Sequence, residues 1–179
     1  MLDLSMKKQR GANMKIGFLI VDMQNIFLQD RMERLNVEAA CEYINHVAGL
    51  LREKDQVVVH VHDMEGSDED TDVEARNTIP EITVGANDIR IEKQYSNAFW
   101  KTDLEQVLRD QEVGLVIVAG FAAEQCVTFT LNGAMERGFQ SVLLQGGIVS
   151  TYADAISSIY RDRPVTSYKM IEFMMSNIK

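Results

Sequence analysis

The chain has 179 residues, 46% of them hydrophobic and 25% charged, with a formal net charge of −9 and a pI near 4.8. That balance is ordinary for a folded globular protein and excludes fibrous, low-complexity and disordered classes. The acidic surplus, with no concentrated Lys/Arg stripe to offset it, argues against nucleic acid as a partner, and no apolar run approaches the ~20 residues needed to cross a bilayer, so no membrane partner is expected either.

Residues 1–13, MLDLSMKKQRGAN, are polar and aperiodic, and are expected to form a flexible N-terminal extension to one domain spanning residues 14–179. Their basic residues are followed by no apolar stretch of the kind a secretory signal needs, so the expected location is cytoplasmic. KIGFLIVD, ending at Asp22, is continuously apolar up to the carboxylate, the pattern of a strand buried on both faces of a parallel sheet. Asn36 is then expected to cap a helix in which Val37, Ala40, Cys41, Ile44, Val47, Ala48 and Leu51 recur at spacings of three and four. QVVVHVHD is a second strand and NDIRIEK a shorter third. Thr102 and Glu105 have capping-box spacing ahead of a helix over about 103–111. GLVIVAG is a fourth strand, followed by a short turn and a helix from about Glu124. QSVLLQGG is a fifth strand, a helix follows Thr151, and Pro164 precedes a final strand and C-terminal helix.

Strand and helix alternate along nearly the whole chain, which predicts a three-layer α/β/α Rossmann-like domain with a mostly parallel sheet of about six strands. In such open sheets ligands bind beyond the carboxyl ends of the strands. Asp22, Lys93 and the turn before Cys126 all fall there. No G-x-G-x-x-G follows the first strand, so a dinucleotide-binding enzyme is a weak alternative.

Of the two cysteines, Cys41 lies on an apolar helical stripe and reads as a small buried hydrophobe. Cys126 follows the turn Gly120-Phe121-Ala122-Ala123 and falls in the first turn of a helix, where unpaired N–H groups and the dipole favour thiolate. A nearby ammonium such as Lys93 would lower its pKa further. Asp22 reads either as a helix cap or as a general base, and Lys93 alone would be a solvated charge.

Three stretches in combination change that reading: FLIVDMQNIF around Asp22, EKQYSNAFWKTDLEQVL around Lys93, and VIVAGFAAEQCVTFTLNGAMERGF around Cys126, with Lys93 and Cys126 33 residues apart. Together, from about Lys15 to Ala155, they resemble the isochorismatase-like cysteine hydrolases, which include nicotinamidases, N-carbamoylsarcosine amidases and ureidoacrylate hydrolases. The resemblance implies a catalytic set of Asp22, Lys93 and Cys126, an oxyanion hole made by the backbone N–H groups of Ala122 and Cys126, and a cis peptide at Phe121–Ala122. It implies hydrolysis of a C–N bond in a small amide, ureide or imide through a thioester, with no cofactor, and a homodimer or homotetramer. The chain departs from the family pattern at Ala123, where a Thr is usual, and at Ile26, where an Asp is usual.

His60, His62 and Asp63 are all metal-ligand types, but their spacing does not match the Asp and two His that a nicotinamidase metal site places after this strand, and no metal is expected. His62 is instead expected at the pocket rim, with Phe27, Tyr95, Trp100 and Phe121 as candidate walls. The acidic stretch 63–74 reads as a solvated loop, placed where it could also serve as a lid or as a rim favouring cationic or neutral substrates. Two other readings remain open at this stage: an isochorismatase-type vinyl-ether hydrolase, which needs no thiol nucleophile, and a non-catalytic or redox-responsive scaffold that keeps the fold.

Overall fold

The solidly apolar runs of the sequence form the centre of a sheet because only a strand covered on both faces keeps such residues from water. The computed structural model describes residues 14–67, 73–152 and 154–177. Six parallel strands, β1 (Lys15–Val21), β2 (Val57–Asp63), β3 (Ile89–Lys93), β4 (Val113–Gly120), β5 (Gln140–Ile148) and β6 (Val165–Thr166), lie in the order β3-β2-β1-β4-β5-β6. β1, the central strand, is paired on both sides, with Leu19 opposite Val59 of β2 and Val118 of β4.

Side chains alternate across the sheet. Ile16, Phe18 and Ile20 of β1 pack with helix α2 (Val37–Arg52) and helix α6 (Tyr168–Asn177), whereas Leu19 and Val21 pack with α3 (Leu104–Asp110) and α4 (Thr128–Glu136). Each fully buried Leu, Ile or Phe stabilises the fold by roughly 1.5–3 kcal/mol. The three layers predicted from strand and helix alternation are therefore present, with α5 (Ala155–Asp162) set against the α3/α4 face through Ile156, Ile159 and Tyr160.

Local details differ from expectation. The second helix begins after Asn36, but Asn36 is left-handed (φ 52°) and makes no side-chain cap; tertiary burial of the α2 stripe sets that boundary. The Thr102/Glu105 capping box does not form, because Glu105 instead pairs with Arg109 and Arg137. Between Asp22 and α2 lie a one-turn helix α1 (Asn25–Leu28) and a 3₁₀ turn (Gln29–Arg31), neither of which was read from the sequence. After β4 the chain forms a five-residue π-turn, Ala123–Val127, before α4 begins. The expected N-terminal extension over 1–13 lies outside the described residues, as do residues 68–72 of the acidic stretch.

Candidate active site

Because all the strands run one way, their carboxyl ends share one edge, and the polar residues that end them converge. Asp22 directly follows β1, and Asp63 and Lys93, the last residues of β2 and β3, face each other in register. The chain leaves β4 through Gly120 (φ 113°) and a cis Phe121–Ala122 peptide. A side chain at 120 would collide with the Val21 carbonyl, so only glycine lets β4 pass this close to β1. Asp22 is itself left-handed (φ 51°), held there by its N–H, which donates to Val61 O at 2.9 Å.

Lys93 is the hub. Only 1% exposed, its Nζ lies 2.9 Å from Asp22 Oδ2 and 2.6 Å from Asp63 Oδ2, and it donates to Cys126 Sγ at 3.5 Å. One ammonium thus serves two carboxylates and a sulfur. Burial, the largest influence on Lys93, lowers its pKa, but Asp22, Cys126 and Asp63 outweigh it and hold the pKa above the ordinary lysine range. Burial pushes Asp22 up to about 6 against the opposing pull of Lys93. The other oxygen of Asp22, Oδ1, is buried without a hydrogen-bond partner.

The expectation of a ground-state thiolate is corrected by this arrangement. Burial first, and Asp22 second, push the Cys126 thiol up to about 12, with Lys93 opposing. The corner already carries one negative charge in excess, so a thiolate would be a third anion beside one cation. A five-residue π-turn also offers less than the full helix terminus that was expected to favour the thiolate. Moving the thiol proton onto Asp22 leaves the net charge of the corner unchanged, and is the one ionisation the site accommodates without adding charge.

The N–H groups around the turn are largely committed. Ala123 donates to Val149 O at 2.8 Å, and Gln125 and Val127 both donate to Ala122 O. Where the family pattern has a Thr, Ala123 is fully buried, and the Thr128 hydroxyl braces the turn by donating to Ala123 O at 2.6 Å. Glu124 adds a second brace by accepting from the hydroxyls of Ser150 and Thr151.

A cavity of about 320 Å³ opens beside this corner, lined by Asp22, Phe27, Asp63, Arg76, Phe121, Ala122 and Cys126 among others. Phe27 and Phe121 stack across it with ring centroids 5.9 Å apart. Larger clefts of about 480, 670 and 410 Å³ lie at the amino ends of β1–β3, beside residues 74–81 and between α2 and α6, but none is lined by a cysteine or serine beside a buried carboxylate. The cavity at Cys126 is therefore the one that chemistry selects.

Three expected wall residues are corrected. His62 lies on the opposite face of β2 from Asp63, buried, with Nε2 2.9 Å from the Thr78 hydroxyl. Tyr95 and Trp100 are 43% and 52% exposed and line no part of the cavity. Asp63 reads from the sequence only as a metal-ligand type, whereas in the structure it is the second anchor of Lys93. The signal was present, since β2 and β3 end in HD and EK at the same sheet edge. Gln24 was missed: it accepts from Asp63 N at 2.7 Å and donates to Asp63 O and Arg76 O. Asp22, Asp63 and Cys126 offer ligand atoms within 4.8 Å of one another, but the Lys93 ammonium already contacts all three, where a metal would sit. No helix among the described residues is long and apolar enough to cross a membrane.

An open parallel α/β sheet with its polar centre at the carboxyl edge defines the class of protein. The isochorismatase domain model matches residues 17–175, and the chain belongs to the isochorismatase family of hydrolases. It is 27% identical over 146 residues to the isochorismatase family protein YaaI of Bacillus subtilis, covering 75% of this chain and 80% of that one. It is 29% identical over 69 residues to maleamate amidohydrolase of Pseudomonas putida, a match spanning 38% of this chain and only 32% of that protein. The fold is shared with N-carbamoylsarcosine amidase from Thermoplasma acidophilum, with a TM-score of 0.74 at 22% identity over 86% of this chain and 95% of that one. It is also shared with the nicotinamidase from Staphylococcus aureus, with a TM-score of 0.68 at 18% identity over 80% of this chain and 88% of that one.

Proposed function

We propose that this protein is a cysteine-dependent hydrolase that cleaves a C–N bond of a small amide, ureide or imide through a thioester acyl-enzyme. The observation that carries the reading is the Lys93 ammonium held between Asp22, Asp63 and the Cys126 sulfur beside a cavity that Cys126 lines. Asp22 Oδ1, unpartnered, accepts the thiol proton as Cys126 Sγ bonds to the substrate carbonyl carbon. The carbonyl oxygen takes the negative charge and is held by the N–H groups of Ala122 and Cys126, a contribution of about 3–4 kcal/mol to the barrier in comparable sites. Collapse breaks the C–N bond, and the leaving nitrogen takes the proton from Asp22. Water then attacks the thioester, giving its proton to Asp22, and expulsion of the sulfur releases the acid and restores the thiol. An Asp22 pKa of about 6 suits both directions of transfer near neutral pH. The names of the relatives, an amidohydrolase and two amidases, support a C–N bond as the target.

The test is ammonia release from a panel of primary amides, ureides and imides by the wild type and by Cys126→Ala, with a metal chelator present. Chelator-resistant release that is lost in Cys126→Ala is the expected result. Release that survives in the variant would overturn the thiol mechanism.

A further inference from the structure

Arg76 stands apart from the other buried cations. Its side chain, 9% exposed, lines the same cavity as Asp22 and Cys126. Lys93 is neutralised by two carboxylates, and Arg52 is bound by Asp88. Arg76 has neither arrangement: among the described residues, its guanidinium meets only neutral carbonyls. Nη1 donates to Asp63 O at 3.1 Å and Nη2 to Glu65 O at 2.9 Å. Nε is buried with no hydrogen-bond partner among the described residues. A guanidinium carries five N–H donors, so three are left over, one of them the buried Nε–H. An uncompensated buried charge is costly unless something else completes it.

The rest of the geometry holds that fork in place. Gln24 Nε2 donates to Arg76 O at 2.7 Å, and the same Gln24 side chain accepts from Asp63 N. Arg76 is thereby fastened to the strand end that anchors Lys93, and its distance from the nucleophile is set by the sheet.

We propose that Arg76 is the anchor for a carboxylate on the substrate, so that the amide cleaved at Cys126 belongs to an acid. This rests on the reading of the site as a cysteine hydrolase. A planar fork of free N–H donors matches a carboxylate two bonds at a time. The charges around it make the cavity directional. Asp22 and Asp63 repel an anion from the catalytic corner, while the Arg76 guanidinium at the end of β2 attracts it, so a molecule with a carboxylate at one end presents its uncharged amide to Cys126. Phe27 and Phe121 supply the apolar wall for the carbon chain between. Glu65, exposed and lining the same cavity, meets Arg76 through its backbone carbonyl.

The experiment compares monoamides of linear dicarboxylic acids of four to six carbons with their methyl esters, in the wild type, Arg76→Met and Arg76→Lys. The wild type is expected to prefer the acids by about 10²-fold in kcat/KM, since losing a charged partner leaves buried donors unpaired. Arg76→Met should lose that factor on the acids, mainly through KM, and slow the esters by a much smaller factor, with Arg76→Lys in between. Equal slowing of acids and esters would show Arg76 to be only a latch for Asp63, and would overturn the proposal while leaving the hydrolase reading intact. So would a wild type indifferent to the carboxylate. A second readout needs no turnover: Cys126→Ala titrated calorimetrically with the monoamides succinamate and glutaramate should bind them, and Cys126→Ala/Arg76→Met should not. Absence of binding at millimolar concentration, or binding of inorganic phosphate in preference to both monoamides, would overturn the carboxylate assignment even if no amide in the panel is cleaved.

Discussion

The two thiols of this protein sit in opposite layers and carry the same upward shift, burial being the main cause in both. Cys41, 3% exposed on the α2 stripe, is pushed up to about 12 by burial, with Glu81 and Glu38 adding to it. Cys126, partly accessible at the cavity, is also pushed up to about 12, by burial and by Asp22. A resting pKa therefore does not separate an inert thiol from a candidate nucleophile. Neighbours do: Cys126 has a buried carboxylate able to take its proton and an ammonium 3.5 Å from its sulfur, and Cys41 has an apolar core around it.

The largest effect that tests this contrast is Cys126→Ala, which should lower amide turnover by at least about 10³-fold with an unchanged circular dichroism spectrum. In the wild type, iodoacetamide mapped by mass spectrometry should mark Cys126 and spare Cys41; the reverse pattern would break the comparison. Lys93→Met strips the cation from two buried carboxylates, and should destabilise the fold by about 3–5 kcal/mol in urea unfolding while slowing alkylation of Cys126. Wild-type stability in that variant would mean the corner does not depend on its hub.

Asp22→Asn removes the proton acceptor and should cost about 10²–10⁴-fold in kcat/KM. The wild-type profile should rise with pH through about 6 as Asp22 loses its proton, and the Asn variant should lack that rise. Stability runs the other way. The folded pKa of Asp22 lies above its ordinary value, so its contribution to the fold is fully present below about pH 4 and is lost as pH rises through about 6. The gap in unfolding free energy between Asp22→Asn and the wild type should therefore shift in favour of the variant from pH 4 to pH 8. The smallest effect is at the other thiol: Cys41→Ala should cost about 1 kcal/mol of stability and leave kcat within about twofold.

Much of this molecule is legible without coordinates. The apolar runs at 16–21 and 115–119 have to be strands covered on both faces, and the spacing through Cys41 has to be a helix lying on them, because period and burial are properties of local sequence. Alternation of the two then places Asp22, Lys93 and Cys126 at one sheet edge, since parallel strands all end on the same side. What local sequence does not carry is which side chains meet across that edge. Asp63 joins Lys93 only through the β2/β3 register, and the two histidines before it face away because a strand turns successive side chains to opposite faces. Arg76 lies in a stretch with no period to read, and its unpaired fork becomes visible only when Gln24 and the end of β2 are brought to it. The same holds for the thiol. A helix start beside a lysine predicted a thiolate, but tertiary packing set two carboxylates against one ammonium and removed the water. Electrostatic energy at that distance depends on the sum of charges and the local dielectric, which only the assembled fold determines.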